Sequence, residues 1–214
     1  MVNFKNIMWT VLGLNRSRPV NKVSDSTIQK AEIERKFLIK SKPIIPSDIE
    51  IKHITQAYLF VSNEMEERIR REESEENGTK YFYTKKFGSG LERKENEYPI
   101  EEWEYKKFLL STRGNIIEKT RFVIPHNNGV KLEYDVYHGA LDGLEVVEVE
   151  FPSVETSNQF SPPDWFGPDV TERKDLKNKS LATKGIPEDI KQKIDAKEKR
   201  LASQPPVNAR INFQ

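Results

Sequence analysis

Charged side chains recur at every second position in segment after segment of this chain. In "AEIERKFLIK", residues 31–40, Glu32, Glu34 and Lys36 fall on one side of an extended strand. Ile33 and Phe37, with the stem of Arg35 between them, take the other, because side chains two apart share a strand face. The alternation returns in six further segments. "ERIRR" pairs Arg68 with Arg70 and turns Ile69 away, and "YFYTKK" aligns Phe82, Thr84 and Lys86. "LERKENEYPI" aligns Arg93, Glu95 and Glu97, and "IIEKTRF" aligns Lys119 with Arg121. "VKLEYDVY" sets Lys131, Glu133 and Asp135 against Leu132, Tyr134 and Val136. "LEVVEVEF" sets Glu148 and Glu150 against Val147, Val149 and Phe151.

In any one strand, this pattern is also that of a sheet with one solvated face. Across seven strands the solvated reading weakens. Some strands carry Arg and Lys in pairs and others carry Glu and Asp in pairs, and like charges on one strand repel and need counterions. A closed antiparallel barrel with its polar faces inward answers this: cationic and acidic walls face each other across a wet lumen, and apolar faces lie outside under helices. Such a lumen suits a multiply charged anion together with divalent cations. Arg and Lys hold phosphate oxygens, and paired carboxylates hold Mg²⁺ or Mn²⁺.

The totals agree with a function that depends on local charge. The 35 Lys and Arg balance 34 Asp and Glu, for a net charge of +1, which gives no reason to expect a nucleic-acid or membrane-surface binder. At 214 residues the chain holds one sizeable domain. It has no cysteine, hence no disulfide or thiolate site. His53, His126 and His138 are not at zinc-like spacings, which argues against a histidine zinc site. No apolar run approaches the ~20 residues of a membrane span.

Along the chain, residues 1–28 read as an N-terminal extension, 29–186 as the strand-rich domain and 187–214 as a C-terminal helix and tail. The first 23 residues lack Asp and Glu but carry Lys5, Arg16, Arg18 and Lys22. That composition fits a short docking helix at "FKNIMWTVLGL" on a cytoplasmic protein, and also an organellar transit peptide. Turns are expected at "ENGT", "FGSG", "HNNG" and "HGALDG". A helix is predicted over 100–114, ended by Gly114, with Ile100, Trp103, Phe108 and Leu110 marking its apolar side. A second starts at Pro187 with acids first and bases last, and the tail from Gln204 reads as disordered. Nothing in the pattern sets an oligomeric state.

The ordered series resembles the CYTH family, also called the triphosphate tunnel metalloenzymes. Its ExExK signature is met by Glu32, Glu34 and Lys36. "TQAYL" is similar to the family's second-strand motif with Ala57 in place of Gly. "ERIR", "YTKK", "RKENEYPI", "EKTRF", "LEYDVYHG" and "LEVVEVEF" follow in the family's order. "PPDWFGPDVT" with "LKNKSLA" resembles the closing segment of short bacterial-type members. The resemblance covers residues 32 to about 181. It implies an α+β, mainly β fold: a closed eight-stranded antiparallel β tunnel with flanking helices. It also implies Mg²⁺- or Mn²⁺-dependent cleavage of a triphosphate, inorganic tripolyphosphate in the compact members that open with "EIERKF".

The roles that follow are expectations. Glu32, Glu34, Glu148 and Glu150, with Asp135, would hold metal. Lys36, Arg68, Arg70, Lys86, Lys119 and Arg121 would bind the triphosphate, with Tyr58 beside them. Glu32, Glu34, Lys36, Lys119, Arg121, Glu148 and Glu150 would carry catalysis. Glu95, Glu97 and Glu133 form a second acidic set. Two other readings stay open: an adenylate cyclase or thiamine triphosphatase on the same fold, and a non-catalytic polyphosphate-binding module.

Overall fold

A computed structural model describes residues 33–62, 64–87, 94–112 and 116–203 of the chain. The N-terminal extension, Glu32, Arg93, Gly114, the "FGSG" turn and the tail from Gln204 lie outside the described residues.

Nine strands form one antiparallel sheet. They are β1 (Ile33–Ile39), β2 (Glu50–Val61), β3 (Met65–Ser74), β4 (Gly78–Phe87), β5 (Lys94–Pro99), β6 (Ile117–Pro125), β7 (Lys131–His138), β8 (Glu145–Phe151) and β9 (Phe166–Asp169). Their spatial order is β5-β4-β3-β2-β6-β7-β8-β1-β9. The expected closed ring of eight is therefore not what the pairing gives, since β5 and β9 are edges among the described residues. The cause is local: β9 bonds the edge of β1 that faces away from β8, with a register shift between Phe37 and Ile39.

Turn chemistry sets the hairpins. The β3–β4 turn places Gly78 at φ 64°, a left-handed conformation that glycine adopts without a Cβ clash. β2 shifts register between Tyr58 and Phe60, so the alternation slips by one residue at that end of the strand.

Three apolar clusters lie beneath the helices and short flanking segments, two on the outer side of the sheet and the third, around Ile117, Tyr137 and Val146, on the same face as Lys119, Arg121 and Glu148. Ala57, Ile69 and Tyr83 pack under Tyr105 and Phe108 of α1 (Glu102–Leu109). Phe37, Val147, Val149 and Phe151 pack with Phe166, and Phe160 and Trp165 join them beside α2 (Val154–Gln159). Ile117, Tyr137, Leu144 and Val146 pack against Leu181 and Ala182 of α3 (Asn178–Lys184), and against Ile190 of α4 (Glu188–Ala202).

α1 is shorter than the predicted helix and buries only part of the predicted apolar side, Phe108 with Ile100 just before it. Tyr105 and Phe108 point inward, three apart and so on one side of the helix, while Trp103 and Leu110 are 52% and 89% exposed. Tyr105 joins Phe108 in the core because its ring is apolar although its hydroxyl is polar. The Glu104 carboxylate accepts a 2.9 Å hydrogen bond from the Glu101 N–H, which fixes the start of the helix. α4 follows Pro187 and carries Glu188 and Asp189 in its first turn and Lys199 and Arg200 in its last, as the helix dipole favours.

Candidate active site

The polar face of the sheet curves around a cavity of about 600 Å³. Glu34 and Lys36 of β1 line it together with Lys86 of β4 and Glu95 and Glu97 of β5, so opposite ends of the sheet meet across one space. Strand register explains which side chains arrive there. Residues opposite one another in an antiparallel pair share a face. Glu34 stands opposite Glu150, Lys36 opposite Glu148 and Glu133 opposite Glu148. Arg121 stands opposite Lys52 and Asp135, Arg68 opposite Tyr58 and Thr84, and Lys86 opposite Glu66 and Glu95.

Two charge networks result. On one wall, Lys36 Nζ lies 2.7 Å from Glu148 Oε1 and also donates to the Leu176 carbonyl at 3.2 Å. Arg121 grips Asp135 through Nε and Nη2, both at 2.7 Å. It also reaches Glu148 at 2.6 Å and bonds Glu133. Lys119 Nζ lies 2.5 Å from Asp135. On the facing wall, Arg68 meets Glu95 at 3.2 Å and Lys86 meets Glu95 at 2.5 Å. Arg70 meets Glu97 at 3.0 Å and Glu72 at 2.9 Å and lies 5.2 Å over the Phe82 ring. Thr84 donates to Glu97 at 2.9 Å.

Burial and charge pull the carboxylates apart. Burial alone would raise the Glu148 carboxyl, but Lys36, Lys119 and Arg121 around it hold it well below the usual carboxylate range. Glu34 opens to the water of the cavity. Enclosure by the cavity walls and then the Glu148 carboxylate nevertheless raise it, against Lys36 and Lys86. Burial raises Glu133 against Arg121. Burial and then Arg121 lower Lys119, opposed by Asp135. Tyr58 is buried, and burial pushes its phenol up; its hydroxyl accepts from Gln56 at 2.7 Å.

The sequence-predicted residues thus arrive in three positions. Glu34, Lys36, Tyr58, Arg68, Arg70, Lys86, Glu95, Glu97, Lys119, Arg121, Glu133, Glu148 and Glu150 all line the cavity. Asp135 lies behind its wall, fully buried, with both oxygens bonded to Arg121 and one also to Lys119. Lys85 faces outward and pairs with Glu67 at 2.8 Å.

Several lining residues escaped the sequence reading. Glu66 and Glu72 extend the Arg68–Arg70 alternation in both directions, a signal that was there to use. Lys52 was hidden because its strand face continues with Ile54, Gln56 and Tyr58 rather than with charge. Thr171, Arg173, Lys177 and Lys179 come from the segment after β9, where no period-two pattern exists. Thr171 is placed by Asp169, whose Oδ1 accepts from its N–H at 2.9 Å and its hydroxyl at 2.5 Å. Thr171 Oγ1 in turn accepts from the Lys36 N–H at 3.0 Å.

Carboxylate oxygens are the right donors for a hard divalent cation. Glu34 and Glu150 are neighbours across β1 and β8, and the mutual crowding of Glu34 and Glu148 is what a cation between them would relieve. Among the described residues no group of three acids or histidines is already arranged as a metal site. Lys36 and Arg121 occupy Glu148 instead.

The curved antiparallel sheet of this mainly β protein encloses a cavity whose two walls both carry cations paired with carboxylates, in contrast to the separate cationic and acidic walls expected from the sequence, and such a lining suits a small polyanion. No protein-family model matches the chain. It is 40% identical over 152 residues to an inorganic triphosphatase of Nitrosomonas europaea, a span of 71% of this chain and 96% of that protein. It is 30% identical over 141 residues to an inorganic triphosphatase of Acetivibrio thermocellus, 65% of this chain and 85% of that one. Among solved structures, the inorganic triphosphatase NE1496 superposes with a TM-score of 0.56 at 37% identity, over 74% of this chain and 97% of that one. The chain belongs to the CYTH family, with its inorganic-triphosphatase-like members.

Proposed function

We propose that this protein hydrolyses inorganic tripolyphosphate to pyrophosphate and phosphate with Mg²⁺ or Mn²⁺. The supporting observation is the cavity itself, where Lys36, Lys119 and Arg121 on one wall face Arg68, Arg70 and Lys86 on the other, with carboxylates between them. On this reading strands β1 to β8 act as the eight staves of a tunnel, and β9 is an addition at its edge.

Without ligand, each of these cations is paired with an acid. A triphosphate enters by exchanging those carboxylate partners for its own oxygens, which charge-assisted bonds from Arg and Lys hold firmly. Arg68, Arg70 and Lys86 fix one side of the chain of phosphoryl groups, and Lys36, Lys119 and Arg121 fix the other. Asp135 and Glu133 keep Arg121 aimed into the cavity, and Glu95 and Glu97 do the same for Arg68, Lys86 and Arg70. Glu34, Glu148 and Glu150 would hold the metal, with Glu32 of the ExExK series as a further candidate from the sequence. A divalent cation held by these carboxylates would shield phosphate charge and lower the pKa of an attacking water. In the reaction, water oxygen bonds to a terminal phosphorus, the bridging P–O bond breaks, and pyrophosphate leaves with the electron pair. The proton from water passes to solvent.

Phosphate release from tripolyphosphate, ATP and thiamine triphosphate, each with Mg²⁺ and with Mn²⁺, tests the reading, alongside an assay for cyclic AMP. The expected result is metal-dependent release from tripolyphosphate. Cyclic AMP formation, or binding of tripolyphosphate with no turnover, would overturn it.

A further inference from the structure

The chain holds three histidines, far apart in sequence, and the sheet brings two of them to one oxygen. His53 of β2 stands opposite Thr120 of β6. His138 ends β7 opposite Glu118, the same-face neighbour of Thr120. On the outer side of the sheet, Thr120 Oγ1 lies 3.3 Å from His53 Nδ1 and 2.8 Å from His138 Nε2. A threonine hydroxyl has one proton to give, so at most one of these nitrogens is satisfied as an acceptor from it. Both imidazoles are exposed. The group is separate from the cavity, because Thr120 points away from it while its neighbours Lys119 and Arg121 point in.

We propose that His53 and His138 form a second metal site, on the outer wall, that takes a divalent transition metal of the Zn²⁺ or Ni²⁺ type. Imidazole nitrogen suits these ions and does not suit Mg²⁺. Two exposed rings already converging within 3.3 Å of one oxygen need modest side-chain rotation to bring both nitrogens to the ~2.0–2.1 Å that zinc requires. Water fills the remaining positions, and Glu73 opposite His53 and Glu118 opposite His138 are the carboxylates that the strand pairing puts on the same face. The metal would tie β2 to β7 across β6, the strand whose other face presents Lys119 and Arg121.

The test is calorimetric titration of the whole protein with Ni²⁺ in saturating Mg²⁺, which keeps the tunnel carboxylates occupied. One Ni²⁺ site is expected in the wild type, weakened at least tenfold in His53→Ala and in His138→Ala and unchanged in Glu34→Gln. Ni²⁺ should raise the melting temperature of the wild type but not of the double His variant. It should also broaden the NMR ring signals of His53 and His138 before those of His126, which packs against Phe160. Hydrolysis with Mg²⁺ should be unaffected in both single variants. A titration that is the same in the wild type and in the double His variant, or broadening confined to His126, would overturn the proposal. His53→Gln and His138→Gln replace the alanine variants if either fails to fold.

Discussion

Arg121 and Asp135 form a two-point ion pair across β6 and β7, with Nε and Nη2 of the guanidinium each 2.7 Å from a carboxylate oxygen. Asp135 is fully buried and also takes Lys119, so one carboxylate anchors both cations that β6 turns into the cavity. Removing one partner of a buried pair leaves the other charge uncompensated, at a cost of about 3–5 kcal/mol. Asp135→Asn is therefore expected to lower unfolding stability in urea by about that much and to slow turnover by releasing Arg121. An Asn variant with wild-type stability would show that Lys119 and Arg121 do not depend on Asp135.

Arg121→Ala and Arg70→Ala should weaken tripolyphosphate binding and cut kcat/KM by at least tenfold, through loss of charge-assisted phosphate bonds. Lys85→Ala should change kcat/KM by less than about twofold, because Lys85 points away from the cavity and pairs with Glu67 on the outer face. Steady-state kinetics on the three variants decide this. Equal losses at Lys85 and Lys86 would contradict the β4 register.

Activity should vanish with EDTA and return with Mg²⁺ or Mn²⁺. Glu34→Gln and Glu150→Gln each keep the shape of the side chain and remove a carboxylate charge. Both should lose most turnover without losing thermal stability, and both should need higher metal concentrations for what remains. Wild-type rates at low metal in either variant would take that residue out of the site.

In the metal-free protein, Glu34 should titrate above the ordinary value of 4.5 and Glu148 below it, read by carboxyl-carbon NMR. The stability consequences have opposite signs. The depressed Glu148 contributes stability that is complete above about pH 4.5 and is lost as pH falls through its lower folded value. The raised Glu34 destabilises the fold at neutral pH, and that penalty fades on acidification. A reversed titration order would mean that the cations of β1 and β6 do not favour Glu148.

Tripolyphosphate should be preferred over ATP by at least tenfold in kcat/KM, about 1.4 kcal/mol in transition-state binding. The lining is predominantly charged, with Ile54, Tyr58, Phe82 and Val170 as its apolar or aromatic members, and a base needs more such surface than this. Kinetics at matched free Mg²⁺ measure the ratio, and parity with ATP would refute the preference.

The alternation of charge was legible in the sequence because a strand has a fixed period of two. That period alone assigned Glu34, Lys36, Arg68, Arg70, Lys86, Arg121, Glu148 and Glu150 to one face and Lys85 to the other. Gly78, Pro187 and the acidic first turn of α4 announced their elements by local backbone chemistry. Other features had no local signature. Thr171, Arg173 and Lys177 reach the cavity from an irregular segment with no period to read, where Asp169 holds Thr171 and Asp175 and Asp189 hold Arg173. Asp135 carries the same parity as Glu133 yet sits behind the wall, because Arg121 and Lys119 close over it. The open edge of β1 was taken by β9, and His53 met His138 across Thr120. Both are consequences of pairing between strands distant in sequence, which depends on register and sheet curvature and so exists only once the chain is folded.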